Sequence, residues 1–437
     1  MPETVDLIVE ARWVIPVQPA GVLEYAAVVV RQGRIHDLCS IDEARSRYAP
    51  EERIERTDHA LIPGFVNAHT HAAMCLMRGM SDDLPLMIWL EEHIWPNEAR
   101  VVNPQYVRDG TELAIAEMIR GGTSCFQDMY FHADVIARTA ARIGMRACVG
   151  MIVLEFPTSW AASADEYISK GLEMHDEYRD DPLISTAFAP HAPYTVEDAA
   201  LRKIASLSEQ LERPVHIHVH ETAGEIADSL QRFGVRPIAR LDALGLVNPL
   251  LQAVHVTQVE ADEIALLAER GCSVLHCPES NLKLASGFCP VDTLLKAGIN
   301  VAIGTDGAAS NNDLDMLGET RSAALLAKGV ARDATAVDAH EALTMATLNG
   351  ARALGIGEVT GSLETGKWAD LCCIDLSSVH TQPLSNPVSQ IVYSASRDQV
   401  SDLWIAGRRQ LADGELTRMD LSAILDKARA WRARMEN

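Results

Sequence analysis

Between about Leu61 and Asn312, short apolar runs recur, and each is followed by a stretch with helical spacing. The runs are "LIPGFVNAH", "TSCFQDM", "RACVGMIV", "LISTAFAP", "PVHIHVH", "LLQAVHV", "CSVLHCP" and "INVAIGTD". Segments such as "TELAIAEMIR" and "ADEIALLAER" lie between them, with apolar residues returning every three or four positions. Eight strand–helix units over roughly 250 residues predict an α/β fold, a (β/α)8 barrel.

The flanks read differently. "VDLIVEARWVI" and "AAVVVRQGRIHDL" predict short strands, with Gln32-Gly33 suited to a hairpin turn. At the far end, "ADLCCIDL", "SQIVYSA" and "VSDLWIAGRRQ" predict a second strand cluster. The expected organisation is a barrel over 61–357 and a small β-sandwich domain built from both termini. Residues 1–60 and 358–437 contribute to the sandwich, and the latter part closes in a helix.

The chain has 437 residues, 48% hydrophobic and 23% charged, enough for one large and one smaller domain. A formal net charge of -23 argues against nucleic acid and against an anionic membrane, both of which need clustered Lys and Arg. No apolar run approaches the roughly 20 residues of a membrane span. The start "MPETVDLIVEARWVIP" has no basic region followed by an apolar one, so no signal peptide is expected. Nine scattered cysteines form no C-x-x-C pair and fit reduced thiols in the cytoplasm.

The polar residues change the picture. His69 and His71 close the first run, His191 follows the fourth, and His218, His220 and Glu221 close the fifth. His255 sits in the sixth run, His276 in the seventh, and Asp306 ends the eighth. Barrel enzymes build their sites at these C-terminal strand ends. One H-x-H pair reads equally well as two satisfied polar residues. His69, His71, His218 and Asp306 together supply three nitrogens and a carboxylate, a set suited to zinc or ferrous iron. In "PVHIHVHE", alternation puts His216, His218 and His220 on one face, so periodicity alone does not choose among them.

The motifs "PGFVNAHTH", "HVHETAGE", "HCPESNLKLASG" and "GTDGAASNN" resemble the amidohydrolase superfamily. More narrowly, they resemble its methylthioadenosine/S-adenosylhomocysteine deaminases and their chlorohydrolase relatives. The resemblance implies that His69, His71, His218 and Asp306 bind one divalent metal per subunit, zinc first and iron second. The two-metal members carry a carboxylated lysine on the fourth strand, and "LISTAFAPHAPY" has none. The family pattern H-x-x-E selects His218 as the ligand, because Glu221 stands three residues on. His216 and His220 are then supporting or packing residues. The H-x-E and P-C-x-x-C deaminases are excluded, since no P-C-x-x-C occurs.

By the same resemblance, the catalytic residues are Glu221, His255 and Asp306. Asp306 takes the proton of the attacking water and passes it to the departing amine, while His255 steers that water. Glu221 protonates the ring nitrogen beside the attacked purine carbon. Glu98 in "HIWPNEA" is matched to the ribose hydroxyls and His191 in "FAPHAPYT" to the purine. Trp89 in "LMIWLEE" is a candidate to lie against the nucleoside.

The expected substrate is a small nucleoside, 5′-methylthioadenosine first, then adenosine, with S-adenosylhomocysteine disfavoured. The segment Ala147–Tyr178 has no arginine to hold an amino-acid carboxylate and offers Met151, Ile152, Leu154 and Phe156 instead. The rivals are a hydrolase of another ring, such as guanine or a triazine, and a non-catalytic scaffold. Glu98 separates the first rival, since a free base has no ribose. Retention of all four ligand types weighs against the second. A homo-oligomer is compatible with the barrel.

Overall fold

The computed structural model describes residues 2–436. All eight predicted runs form strands of one parallel sheet: Phe65–Thr70, Thr123–Asp128, Arg146–Val153, Ile184–Pro190, Val215–Val219, Leu251–His255, Ser273–His276 and Asn300–Ile303. They neighbour one another in chain order, as a barrel requires. Side-chain and backbone bonds draw the first and eighth strands together. Asn67 Nδ2 donates to Thr305 Oγ1 at 2.7 Å, and the Asp306 N–H donates to the His69 carbonyl at 2.9 Å. The approach is close enough to demand glycine at 304, where a Cβ would lie 2.6 Å from His69 N.

Strands from both termini form the second sheet. Glu3–Val14 pairs with Leu23–Arg31 on one side and, in parallel, with Tyr48–Pro63 on the other. Leu371–Asp375 adds antiparallel to Tyr48–Pro63, followed by Val400–Ile405 and Arg408–Ala412. Leu7, Val9 and Val28 share a core with Leu371, Cys373 and Trp404, so neither terminal cluster buries its apolar face alone. The run that opens at Leu61 is divided: through Pro63 it belongs to this sheet, and from Phe65 to the barrel. Gln32 (φ 52°) and Gly33 (φ 72°) both adopt the left-handed conformation of a two-residue hairpin turn.

One strand expectation is corrected. "SQIVYSA" lies in a helix, Pro387–Tyr393. Its residues have strand propensity, but Asn386 caps the first turn by accepting from Ser389 N, and Pro387 occupies the opening position. Val388, Ile391 and Val392 then face the core together at helical spacing.

A buried ion pair ties the sheet to the barrel floor. Arg146 opens the third barrel strand and donates to both oxygens of Asp370, at 2.9 and 3.2 Å. The Asp370 carboxylate also accepts from Thr360 Oγ1 and from the Ala406 N–H. The closing helix Leu421–Met435 packs across Pro104–Arg120, with Trp431 Nε1 donating to Asp109 Oδ2 at 3.0 Å.

Candidate active site

At the C-terminal ends of the barrel strands lies a cavity of about 440 Å³, within the range of small-molecule sites. Its floor carries His71, His191, His218, Glu221, His255 and Asp306. The backbone around this floor is strained: His220 (φ 56°), His255 (φ 73°), Val256 (φ 48°) and Asp306 (φ 63°) are all left-handed. Each such residue costs about 1–3 kcal/mol and persists where surrounding contacts over-determine it. Asp306 shows how: its Oδ1 accepts from Gly307 N at 2.7 Å, and its Oδ2 from Ser280 Oγ at 2.7 Å.

The candidate ligands converge. His69 Nε2 and His71 Nε2 each lie 3.3 Å from Asp306 Oδ1, and His69 Nε2 lies 3.2 Å from His218 Nε2. The other ring nitrogens explain this orientation. His71 Nδ1 donates to the Met129 carbonyl at 2.6 Å, and His218 Nδ1 to the His191 carbonyl at 2.7 Å. Carbonyls only accept, so both protons are on Nδ1 and Nε2 is left for a metal.

For His69 the same result comes through a relay. Gln252 Nε2 donates to the Ala353 carbonyl at 2.6 Å, which turns its Oε1 toward His216 Nδ1, 2.9 Å away. His216 therefore carries its proton on Nδ1, and its Nε2 accepts from His69 Nδ1 at 2.7 Å. His69 Nε2 is left without a proton.

Two unprotonated nitrogens 3.2 Å apart repel each other unless a cation lies between them. Donors about 2.0–2.1 Å from one tetrahedral ion stand about 3.3 Å apart, as His69 and His71 do from Asp306 and as His69 does from His218; His69, His71 and Asp306 form one close group, and His69, His218 and His255 another. The residues fit a single divalent metal. Of the two imidazoles beside Asp306, burial wins at His69 and draws it down to about 4. At His71 burial pulls the same way, but the hydrogen bond and charge of Asp306 outweigh it and lift the metal-free ring to about 9, so a bound metal would displace the Nε2 proton there. Burial alone would raise Asp306, yet the two rings beside it hold its carboxyl well below the usual range.

Glu221 is buried beside the cluster. Burial and then the charge of Asp306 push it up to about 8, so it holds a proton at neutral pH. His255 Nε2 lies 3.9 Å from Glu221 Oε2, and its Nδ1 is bonded to Asn281 Oδ1 at 2.9 Å. Burial lowers the His255 pKa, which leaves the ring neutral. The backbone N–H groups of His220 and Glu221 both donate to the buried Glu225 carboxylate, at 3.0 and 2.8 Å, and so fix the turn that carries Glu221.

Glu98, His191 and Trp89 all line the cavity. Burial pushes Glu98 up to about 7, and the Tyr130 hydroxyl donates to its Oε1 at 2.7 Å. Burial, with the charges of His71 and His69, draws His191 down to about 3. Ile152, Leu154 and Phe156 form part of the wall, whereas Met151 does not. Strand alternation turns Met151 outward onto the helix Ala164–Tyr178, where Gly171 leaves room for it.

One histidine behaves differently from the strand-face reading. His216 and His218 do share a face, but the left-handed turn at His220 takes that ring away. Its Nε2 accepts from Ile238 N at 3.2 Å, against the helix Pro237–Ala243. His276 is fully buried, makes no side-chain hydrogen bond among the described residues, and does not line the cavity. Sequence reasoning missed Tyr130, Gln252 and Ser280, whose partners lie on other segments, and Glu225, whose partners are four and five residues away. Only Glu225, four residues after Glu221 in "HETAGE", offered a local signal.

Comparison with known proteins gives the same reading as the motifs. The model of the amidohydrolase family matches residues 60–409. A protein from Teredinibacter turnerae named 5-methylthioadenosine/S-adenosylhomocysteine deaminase is 48% identical over 99% of this chain and 98% of its own length. A crystal structure of an adenosine deaminase from Xanthomonas campestris with bound zinc is 58% identical, covers 100% of both chains and superposes with a TM-score of 0.99. A zinc-complexed atrazine chlorohydrolase from Arthrobacter aurescens shares the fold at 22% identity, with a TM-score of 0.91 over 98% of this chain and 100% of its own. The chain belongs to the amidohydrolase family.

Proposed function

We propose that this protein is a zinc-dependent hydrolytic deaminase of adenine nucleosides. It converts 5′-methylthioadenosine to 5′-methylthioinosine and ammonia, and accepts adenosine less well and S-adenosylhomocysteine least. The observation that carries the reading is the convergence of imidazoles on Asp306 and on one another at the floor of a cavity that is lined by the buried Glu221 and by no lysine or arginine. The names of the relatives and the zinc in the Xanthomonas structure support it.

His69, His71, His218 and Asp306 would hold the metal, which when bound polarises a water for attack at neutral pH. Asp306, ionised and oriented by Ser280 and Gly307, receives the proton of that water and delivers it to the departing amine. Glu221 donates its proton to the ring nitrogen next to the attacked carbon, so that charge does not build up on the purine. His255, neutral and anchored by Asn281, steers the water. Ile152, Leu154 and Phe156 offer the 5′-substituent an apolar surface. That surface suits a methylthio group and leaves a zwitterionic amino acid unpaired. All nine cysteines are free, which suits a reducing cytoplasm.

The test is ammonia release from methylthioadenosine, adenosine, S-adenosylhomocysteine, guanine and cytosine. Methylthioadenosine is expected to have the highest kcat/KM. Hydrogen bonds to charged groups are worth about 1.5–3 kcal/mol each, so lacking two should disfavour S-adenosylhomocysteine by roughly two to four decades. Equal or better turnover of S-adenosylhomocysteine overturns the apolar-wall reading, and turnover of the free bases alone overturns the nucleoside reading.

A further inference from the structure

Glu98 and Tyr130 reach the cavity from separate segments. Glu98 lies on the short helix Trp95–Val101 after the first barrel strand, and Tyr130 follows the second strand. The helix is preceded by a π-helical stretch, Trp89–Ile94, and is anchored from behind by Arg100, which donates to the Met435 carbonyl at 2.6 Å. Tyr130 is 3% exposed, and its hydroxyl is committed to Glu98 Oε1 at 2.7 Å. Among the described residues nothing donates to Glu98 Oε2, yet this atom is not sealed off as a buried orphan. One carboxylate oxygen is held by the protein, and the other is left to whatever occupies the cavity.

We propose that Tyr130 is a positioning residue that makes the site selective for ribose: it fixes the plane of Glu98 so that the second oxygen meets the sugar hydroxyls. The proposal rests on the nucleoside reading above. A carboxylate with a single anchoring donor and a free oxygen suits a vicinal diol, which brings donors of its own. A buried phenol suits the anchoring task because burial pushes its pKa well above 10, and it stays a donor throughout the working range. A site built to bond hydroxyls discriminates strongly against analogues that lack them.

The experiment compares adenosine with 2′,3′-dideoxyadenosine in the unaltered zinc-loaded protein, in Tyr130→Phe, in Glu98→Ala and in the double variant. Tyr130→Phe is expected to lower kcat/KM for adenosine about tenfold or more through KM, with kcat nearly kept, as the loss of remote binding does. Dideoxyadenosine should change little, so the preference for the ribonucleoside collapses. In the Glu98→Ala background, removing the Tyr130 hydroxyl should have no further effect. Equal losses on both substrates, or additive losses in the double variant, overturn the proposal while leaving the deaminase reading intact. Absence of ammonia from methylthioadenosine and adenosine alike in the unaltered protein overturns the deaminase reading, and this one with it.

Discussion

His69 Nδ1 lies 2.7 Å from His216 Nε2, and both rings are fully buried. The contact gives His216 a task without making it a ligand. Its own Nδ1 proton is engaged by Gln252, so it can only accept from His69. The proton on His69 is thereby held away from the convergence point with His218 and Asp306.

Loss of a ligand and loss of its support should therefore differ in kind. His218→Ala is expected to lower zinc content sharply when measured by atomic absorption. His216→Ala should keep near-normal stoichiometry at saturating zinc but bind it about 10–100-fold more weakly in chelator competition. Equal loss of stoichiometry in both variants would mean that the wrong histidine of "HIHVH" was assigned.

Glu221→Gln should retain zinc and lose most of its turnover, because an amide has no proton to give the ring. General acid–base groups contribute about 10²–10⁴-fold, so the fall in kcat should lie in that range. Near-normal kcat in this variant removes Glu221 from the chemistry.

The pH profile follows from the same side chain. Glu221 is raised to about 8 by burial and by Asp306, and its protonated form is the active one. Activity should hold below that value and decline as pH rises through it, giving kcat/KM an alkaline limb near 8. The limb should be missing from the residual activity of Glu221→Gln. A limb of unchanged position in that variant assigns it to another group.

Arg146→Leu probes the joint between the two sheets. It would strand the Asp370 carboxylate, which is 2% exposed, without its charged partner. Breaking a buried pair from one side typically costs about 3–5 kcal/mol. Thermal unfolding should move down accordingly, while zinc affinity of the folded protein stays unchanged. A drop in zinc affinity as large as the drop in stability would show that the joint also shapes the metal cluster.

Much of this architecture was legible because parallel strands buried on both faces read as unbroken apolar runs. The candidate ligands stood out because His69, His71 and Asp306 fall where those runs stop. What escaped depended on distant contacts or on a local change of backbone. Gln252 is 36 residues from His216, and Tyr130 is 32 from Glu98. The turn at His220 breaks an alternation that its sequence continues. In Pro387–Tyr393, β-branched and aromatic residues have strand propensity, and the cap and the apolar core contacts override it.

The pairing of Leu371–Asp375 with Tyr48–Pro63 also has a consequence for synthesis. A chain emerging from the ribosome presents the earlier strand hundreds of residues before its neighbour exists. Until then, one side of that strand lies open, with alternate backbone groups unpaired and ready to join another nascent chain. The part that will take its partner is His59–Pro63, mostly apolar, and the charged run "PEERIERTD" stands immediately before it as a guard. Dense charge and strong hydration discourage edge-to-edge pairing on crowded polysomes. The carboxyl-terminal strands then dock onto an edge that has waited unaggregated.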